Sequence, residues 1–382
     1  MKKVLVVICE VPIDFNQKCL KRPVVDLILN SYLRHFDYIH YIGPSDQEFV
    51  KLQGINHRIF YSSIPYGKSI KERIKYVLQF KKNKNKIKTI LQSEENVVVQ
   101  IRLPGLFPLL SYSAVRATKL PLTTYISIDW PASFKANYKF PGNGLVTFMV
   151  DKIQKVIINN SIPVATGPAI AEIYSTSNIK CYPYFSTSHN NVFRKNNINF
   201  PPNKILYVGS LEPRKRVEDL IIALNILSES NKDWQLTIVG KGATKEKLIG
   251  MVSELNLSKK VNFLGQINDP DILKDIYLEH DILVLPSLSE GTPKVVAEAM
   301  AHGVIPMATR DVGSNNYIIT NRSNGYLLNR LDPEDIVNKC IEVQNNQNLY
   351  LEMIKNGYDY AEKHTLNNEV DNMWKHIFSH IR

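Results

Sequence analysis

Short apolar runs alternate with helix-like segments through both halves of the chain, and this alternation constrains the fold more than any other feature. In the first half the runs are Val4–Ile8, Tyr38–Ile42, Val97–Ile101 and Thr124–Ile128. In the second they are Ile205–Val208, Gln235–Val239, Val261–Phe263, Ile282–Leu285 and Ile305–Ala308. A strand that is apolar on both faces must be covered on both sides, and parallel neighbours need a crossover segment, usually a helix. The pattern predicts α/β architecture with two doubly wound, Rossmann-like parallel sheets, one in each half. A chain of 382 residues exceeds what one hydrophobic core ordinarily holds, which agrees with two domains. The polar, Asn-rich stretch Arg194–Asn203, with its proline pair, reads as the linker between them. The expected division is 1–195, 196–365 and a C-terminal helix, 366–382. That helix carries a stripe of Val370, Met373, Trp374, Ile377 and Phe378, which is expected to pack back toward the N-terminal domain.

The hydrophobic fraction of 44% is that of a globular protein and excludes a disordered chain. Met1–Cys9 has the flavour of a secretion signal, but Glu10 and Pro12 follow without a small-residue cleavage site, so the run predicts a buried first strand. No apolar stretch approaches the ~18 residues that span a bilayer, which makes a cytoplasmic location the expectation. Cys9, Cys19, Cys181 and Cys340 form no C-x-x-C pair, so neither a zinc site nor a redox motif is expected. The formal net charge of +11 admits nucleic acid, an anionic membrane or a phosphorylated substrate as partner. The densest cationic run, 68–88, carries Ile70, Ile74, Val77 and Leu78 at helical spacing. It predicts an amphipathic helix whose basic face is either solvated or laid on a membrane surface.

Three strand-to-helix turns in the second half carry the chemistry. After the run ending at Leu285 comes Ser289-Glu290-Gly291-Thr292-Pro293-Lys294 and then a helix, for which Thr292 is the expected N-cap and Pro293 the first helical residue. In an open α/β sheet a ligand sits at this edge, where free N–H groups and the positive end of the helix dipole favour phosphate or sugar oxygens. Glu290 and Glu298 flank that helix start; the two carboxylates suit either dipole complementation or a ribose diol. After Val208 stand Gly209 and Ser210, then Arg214, Lys215 and Arg216, either a solvated charge cluster or a clamp on a diphosphate. The loop that carries them is expected to be exposed. After Val239, Gly240 and Gly242 would let backbone approach a ligand closely.

Taken together, VGSLEPRKRVEDLIIAL, LTIVGKGATKEKL, VNFLGQI, HDILVLPSLSEGTPKVVAEAMAHGVIPMAT and NGYLL resemble the C-terminal domain of the family 4 retaining glycosyltransferases, over about 205–328. The resemblance implies the GT-B architecture of two Rossmann-like domains facing a cleft. It implies transfer of a sugar from a nucleoside diphosphate with retention of configuration, with no metal and no further cofactor. By the same resemblance Glu298 holds the ribose and Glu290 lies beside the donor sugar. Gly291 and Thr292 face sugar and phosphate, Lys215 binds the diphosphate, and Gly265 with Gln266 passes the base.

The chain departs from the family at Ser210, where an arginine is usual and for which Arg214 or Arg216 could substitute, and at Ser314 and Tyr317. In the first half the family's Gly-Gly loop is replaced by EVPIDFNQKCLKR, and Asp129 stands where many relatives have His. Arg102, Asp129 and Trp130 are the candidates there for lining an acceptor cleft, with a structural salt bridge as the alternative for Arg102 and Asp129. The expectation is a glycosyltransferase that takes a nucleotide-sugar, UDP before GDP. Its acceptor would be a glycan or lipid-linked glycan, in the synthesis of bacterial surface polysaccharide at the inner face of the membrane. A nucleotide-sugar epimerase and a basic nucleic-acid-binding protein are the alternatives. Against the latter, the cationic run has few interleaved aromatics.

Overall fold

The computed structural model describes residues 2–45, 51–65, 80–131, 134, 143–229 and 233–381. They divide into two compact units, 1–185 together with 366–382, and 186–365.

The first unit is built on an eight-stranded sheet in the order β10-β9-β8-β7-β1-β4-β6-β5. Its strands are β1 (Val4–Ile8), β4 (Tyr38–Ser45), β5 (Lys51–Gln53), β6 (Ile59–Pro65), β7 (Val97–Leu103), β8 (Leu122–Ile126), β9 (Ile162–Thr166) and β10 (Tyr182–Tyr184). A small hairpin, β2 (Ile13–Asp14) with β3 (Cys19–Leu20), follows β1. Every pair in the large sheet is parallel except β5 with β6. All five residues of β1 are buried, as expected of a central strand covered on both faces.

The C-terminal stripe ends in this unit's core. In helix Leu366–His380, Trp374 is fully buried, edge-on to Tyr32 at 5.3 Å and to Phe36 at 4.7 Å, while Asp371 pairs with Arg34 at 2.7 Å. Of the expected basic helix 68–88, residues 68–79 lie outside the described residues. Phe80–Gln92 is helical and buries Asn83, Ile87, Ile90 and Leu91.

The second unit has a six-stranded, all-parallel sheet in the order β13-β12-β11-β14-β15-β16. Its strands are β11 (Lys204–Val208), β12 (Gln235–Val239), β13 (Val261–Gly265), β14 (Ile282–Leu285), β15 (Ile305–Thr309) and β16 (Tyr326–Leu328). From β11 the chain steps outward to β12 and β13, then returns to pair β14 on the other side of β11. The strand order therefore reverses between β11 and β14, and at such a point the loops diverge and leave a crevice at the carboxyl edge. The first unit has its reversal between β1 and β7.

Burial makes the first unit sensitive to acid. His40, on β4, is 2% exposed and bonds Ser62 Oγ at 2.7 Å. Burial, aided by the nearby Lys51 charge, lowers its imidazole to about 4, although Glu94 lies 3.8 Å away. An unfolded imidazole takes its proton near pH 6.5. The folded one refuses it, so the stability is fully present above pH 6.5 and is lost as pH falls toward 4. The melting temperature should drop over that window, and His40→Gln should flatten the drop when followed by circular dichroism.

Candidate functional site

The loops after β11 and β14 meet at the second unit's reversal point. Pro213–Lys215 forms a single 3-10 turn, and Arg216, in the left-handed region at φ 53°, ends it. This turn delivers Lys215 inward: its ammonium pairs with the Glu290 carboxylate, and both side chains are only 10% exposed. The expectation of an exposed loop is therefore wrong for Lys215. The backbone closes the same junction, with Leu288 N–H donating to Arg214 O at 2.8 Å. Arg214 Nη1 donates to Ser289 O at 2.9 Å, and Arg330 Nη2 to Leu288 O at 2.9 Å.

The three adjacent cations thus have three different tasks. Lys215 faces Glu290. Arg214 straps the Ser289 carbonyl and pairs with Glu212 at 2.8 Å. Arg216 turns onto the following helix, Val217–Glu229, bonding Asp219 at 2.5 Å and 3.0 Å and Glu218 at 3.1 Å. A clamp of three convergent cations is not what these residues form.

Glu298 lies on the second turn of helix Lys294–Ala301. One of its oxygens accepts from Ser188 Oγ and the other from Tyr277 Oη at 3.1 Å. Burial, then the Glu298 charge, pushes the Tyr277 phenol up, so it stays a donor. A carboxylate has room for about four hydrogen bonds, so two acceptor directions remain. Behind it His302 is sandwiched between Phe193 and Tyr277 at 4.9 and 5.0 Å and bonds Glu298 O through Nδ1. The carbonyl can only accept, so Nδ1–H is the donor of that bond, and burial lowers the imidazole. The helix begins one residue later than expected, with Pro293 at the N-cap and Lys294 first; Thr292 Oγ1 instead meets Ser314 Oγ at 3.2 Å.

Two of the glycines have a packing task of their own. A Cβ at Gly240 would overlap the Gly209 carbonyl oxygen, and one at Gly242 the Leu211 carbonyl. Those two glycines let one loop lie against the neighbouring loop. Gly291 O accepts from Ser314 N–H at 2.9 Å, and Ser210 O from Tyr207 Oη at 2.8 Å. Gly265 keeps a positive φ of 71° with open space around its missing side chain, while Gln266 is exposed and bonds Asn268 at 2.6 Å.

In the first unit Arg102 is not a surface group. It is 8% exposed, with its guanidinium 3.9 Å from the Tyr125 ring centre. The reason is that β7 is covered on both faces: residue 102 shares one face with Val98, packed inside the unit with Tyr32, Tyr125 and Tyr184. Among the described residues no carboxylate pairs with it. Trp130 stacks on Phe134 at 4.6 Å, and Asp129 stands just past β8. Sequence reasoning missed Glu10, which follows β1 at this unit's own reversal point and accepts from Phe107 N–H at 3.3 Å, at the start of helix Leu106–Arg116. Its position directly after a buried central strand was the available signal.

Residues 188–360 match the family model described as glycosyl transferases group 1. An uncharacterized glycosyltransferase of Haemophilus influenzae is 29% identical over 247 residues, covering 63% of this chain and 67% of its own. The Escherichia coli UDP-Gal:alpha-D-GlcNAc-diphosphoundecaprenol alpha-1,3-galactosyltransferase is 33% identical over 153 residues, 39% of this chain and 38% of its own. Among solved structures, Anabaena HepE in complex with UDP superposes with a TM-score of 0.74 at 14% identity, covering 99% of this chain and 100% of its own. The fold is GT-B, with two Rossmann-like α/β units.

The buried pair makes a stability prediction. Lys215→Ala leaves Glu290 without its partner and should cost roughly 3 kcal/mol, at the low end for breaking a buried pair. Combining Lys215→Met with Glu290→Gln should recover part of that loss in urea titrations. Losses that simply add would mean that the two side chains are not coupled.

Proposed function

We propose that the protein is a glycosyltransferase of the group 1 kind, transferring a sugar from a UDP-sugar to a glycan or lipid-linked glycan with retention of configuration. One observation carries the reading. Lys215 and Glu290 meet at the strand-order reversal of the second unit, inside the region that matches the group 1 model. The UDP bound to the Anabaena neighbour and the UDP-galactose in the E. coli relative's name favour UDP; that relative's diphosphoundecaprenol acceptor favours a lipid-linked one.

In this reading the diphosphate lies over the crevice between the β11 and β14 loops. Lys215 supplies positive charge to the leaving group from a fixed, water-poor position, where such charge is worth most. Arg214 and the backbone amides at the start of helix Lys294–Ala301 add donors. Glu298 accepts from the ribose diol through the lone pairs that Ser188 and Tyr277 leave free. Glu290 holds the Lys215 ammonium in register and lies beside the sugar. Charge on the leaving group is met by these side chains, so transfer should survive excess chelator. Surface polysaccharide synthesis at a membrane is the setting that suits such an acceptor.

The activity is tested by incubating the protein with a panel of UDP- and GDP-sugars and a polyprenyl-diphosphate sugar. UDP release that depends on the acceptor supports transfer; release without acceptor and with epimerised sugar would contradict it.

A second expectation concerns Glu298. Hydrogen bonds to a charged acceptor contribute ~1.5–3 kcal/mol, so Glu298→Ala should weaken UDP binding by roughly 10- to 100-fold. The 2′-deoxy nucleotide should bind the native protein poorly yet lose little more in the variant. Calorimetric titration of both proteins with both nucleotides reads this; losses that add would separate Glu298 from the ribose.

A further inference from the structure

We propose that helix Asn143–Asn159 of the first unit is a membrane-docking element that lays its outer face on an anionic lipid surface. The helix is amphipathic in the reverse sense. Leu145, Phe148, Met149, Ile153 and Val156 share one stripe, and they are 66%, 55%, 56%, 47% and 49% exposed. The opposite face is buried, yet it carries Thr147 at 3% and Gln154 at 0% exposure beside Ile157 and Ile158. Neither the amide nitrogen nor the amide oxygen of Gln154 has a hydrogen-bond partner. A helix packed for an aqueous surface puts its largest apolar groups inward. Five of them on one exposed stripe of a single helix form a contiguous patch of the kind that marks an interaction surface.

The charges say what covers it. Lys152 lies within the apolar stripe by helical spacing, its Nζ 4.6 Å from the centre of the Phe148 ring. Lys155 flanks the stripe and is 57% exposed; Asp151, the acid of this helix, pairs with it at 2.7 Å. A lysine inside an apolar stripe is costly in a dry protein interface. At a lipid surface its stem lies along the apolar layer while the ammonium reaches the headgroups. Phe, Leu, Met and Ile with lysine on one helix face is the composition of an interfacial helix, and the chain's net charge of +11 adds attraction to anionic headgroups. Among the described residues no helix is long and apolar enough to cross a membrane, so the contact is one of lying on the surface.

The full-length protein is sedimented with vesicles of phosphatidylcholine alone and of phosphatidylcholine mixed equally with phosphatidylglycerol. Binding to the mixed vesicles is expected. Leu145→Gln, Met149→Gln and Ile153→Gln combined should weaken it about 100-fold or more. Lys152→Gln and Lys155→Gln should each weaken it roughly fivefold, and the effect should shrink with added salt. These side chains are exposed, so the variants should keep the native melting curve. Three outcomes overturn the proposal. The native protein could ignore both vesicles, or the apolar triple variant could bind as well as the native one. Light scattering could instead show a native dimer that the triple variant converts to monomer without any vesicle binding, which would make the face a contact between copies of the chain.

Discussion

An ammonium meeting a carboxylate out of water, Lys215 against Glu290, is the contact on which the second unit's loop layer depends. Neither charge could stay in that place alone, since desolvation of an unpaired ion costs several kcal/mol. Together they tie the loop after β11 to the loop after β14 across the one junction in the sheet where adjacent strands are not consecutive turns of a winding chain. The backbone bond from Leu288 to Arg214 and the Arg214 contact with Ser289 repeat that tie in neutral and half-charged form. The crevice expected at a reversal point is thereby given a fixed floor with a cation in it.

Rigidity spreads from there through close backbone contacts. Gly240 and Gly242 let the β12 loop lie on the β11 loop, and the Gly313 position leaves no room for a Cβ beside the Gly291 and Glu290 carbonyls. Four neighbouring loops, after β12, β11, β14 and β15, are therefore packed against one another and cannot drift apart independently. Such pre-arranged donors and charges suit stabilisation of a leaving group, because little has to move when charge develops. Glu298 is held on the same principle, by Ser188 from one segment and Tyr277 from another.

The fold was legible because buried parallel strands are written as uninterrupted apolar runs. Val4–Ile8, Gln235–Val239 and Ile282–Leu285 are strands with the bounds read from sequence. Ile59–Pro65 and Ile162–Thr166 escaped because IFYSSIP and IPVAT mix polar residues or proline into the run, where the local pattern is no longer decisive. The site was legible as a set of residue types at strand ends, and illegible in direction. Three adjacent cations look alike in a sequence, yet a single left-handed residue at Arg216 sends them to three different partners. Arg102 looked like a cleft residue because charge usually means surface. Both faces of β7 are covered, which leaves it inside against a tyrosine ring, a consequence of tertiary packing that no local signal records. In helix Asn143–Asn159 the periodicity gives a face but not which way it points, and burial reveals the reversal.

The proposed nucleoside-diphosphate site is the pair of loops after β11 and β14, joined by Lys215 and Glu290. Hydrogen–deuterium exchange of the full-length protein with and without saturating UDP tests this most directly. Slowed exchange is expected at the backbone amides of 209–216 and 288–294. Saturable UDP binding with protection confined to the first unit, and unchanged exchange in those two loops, would contradict it.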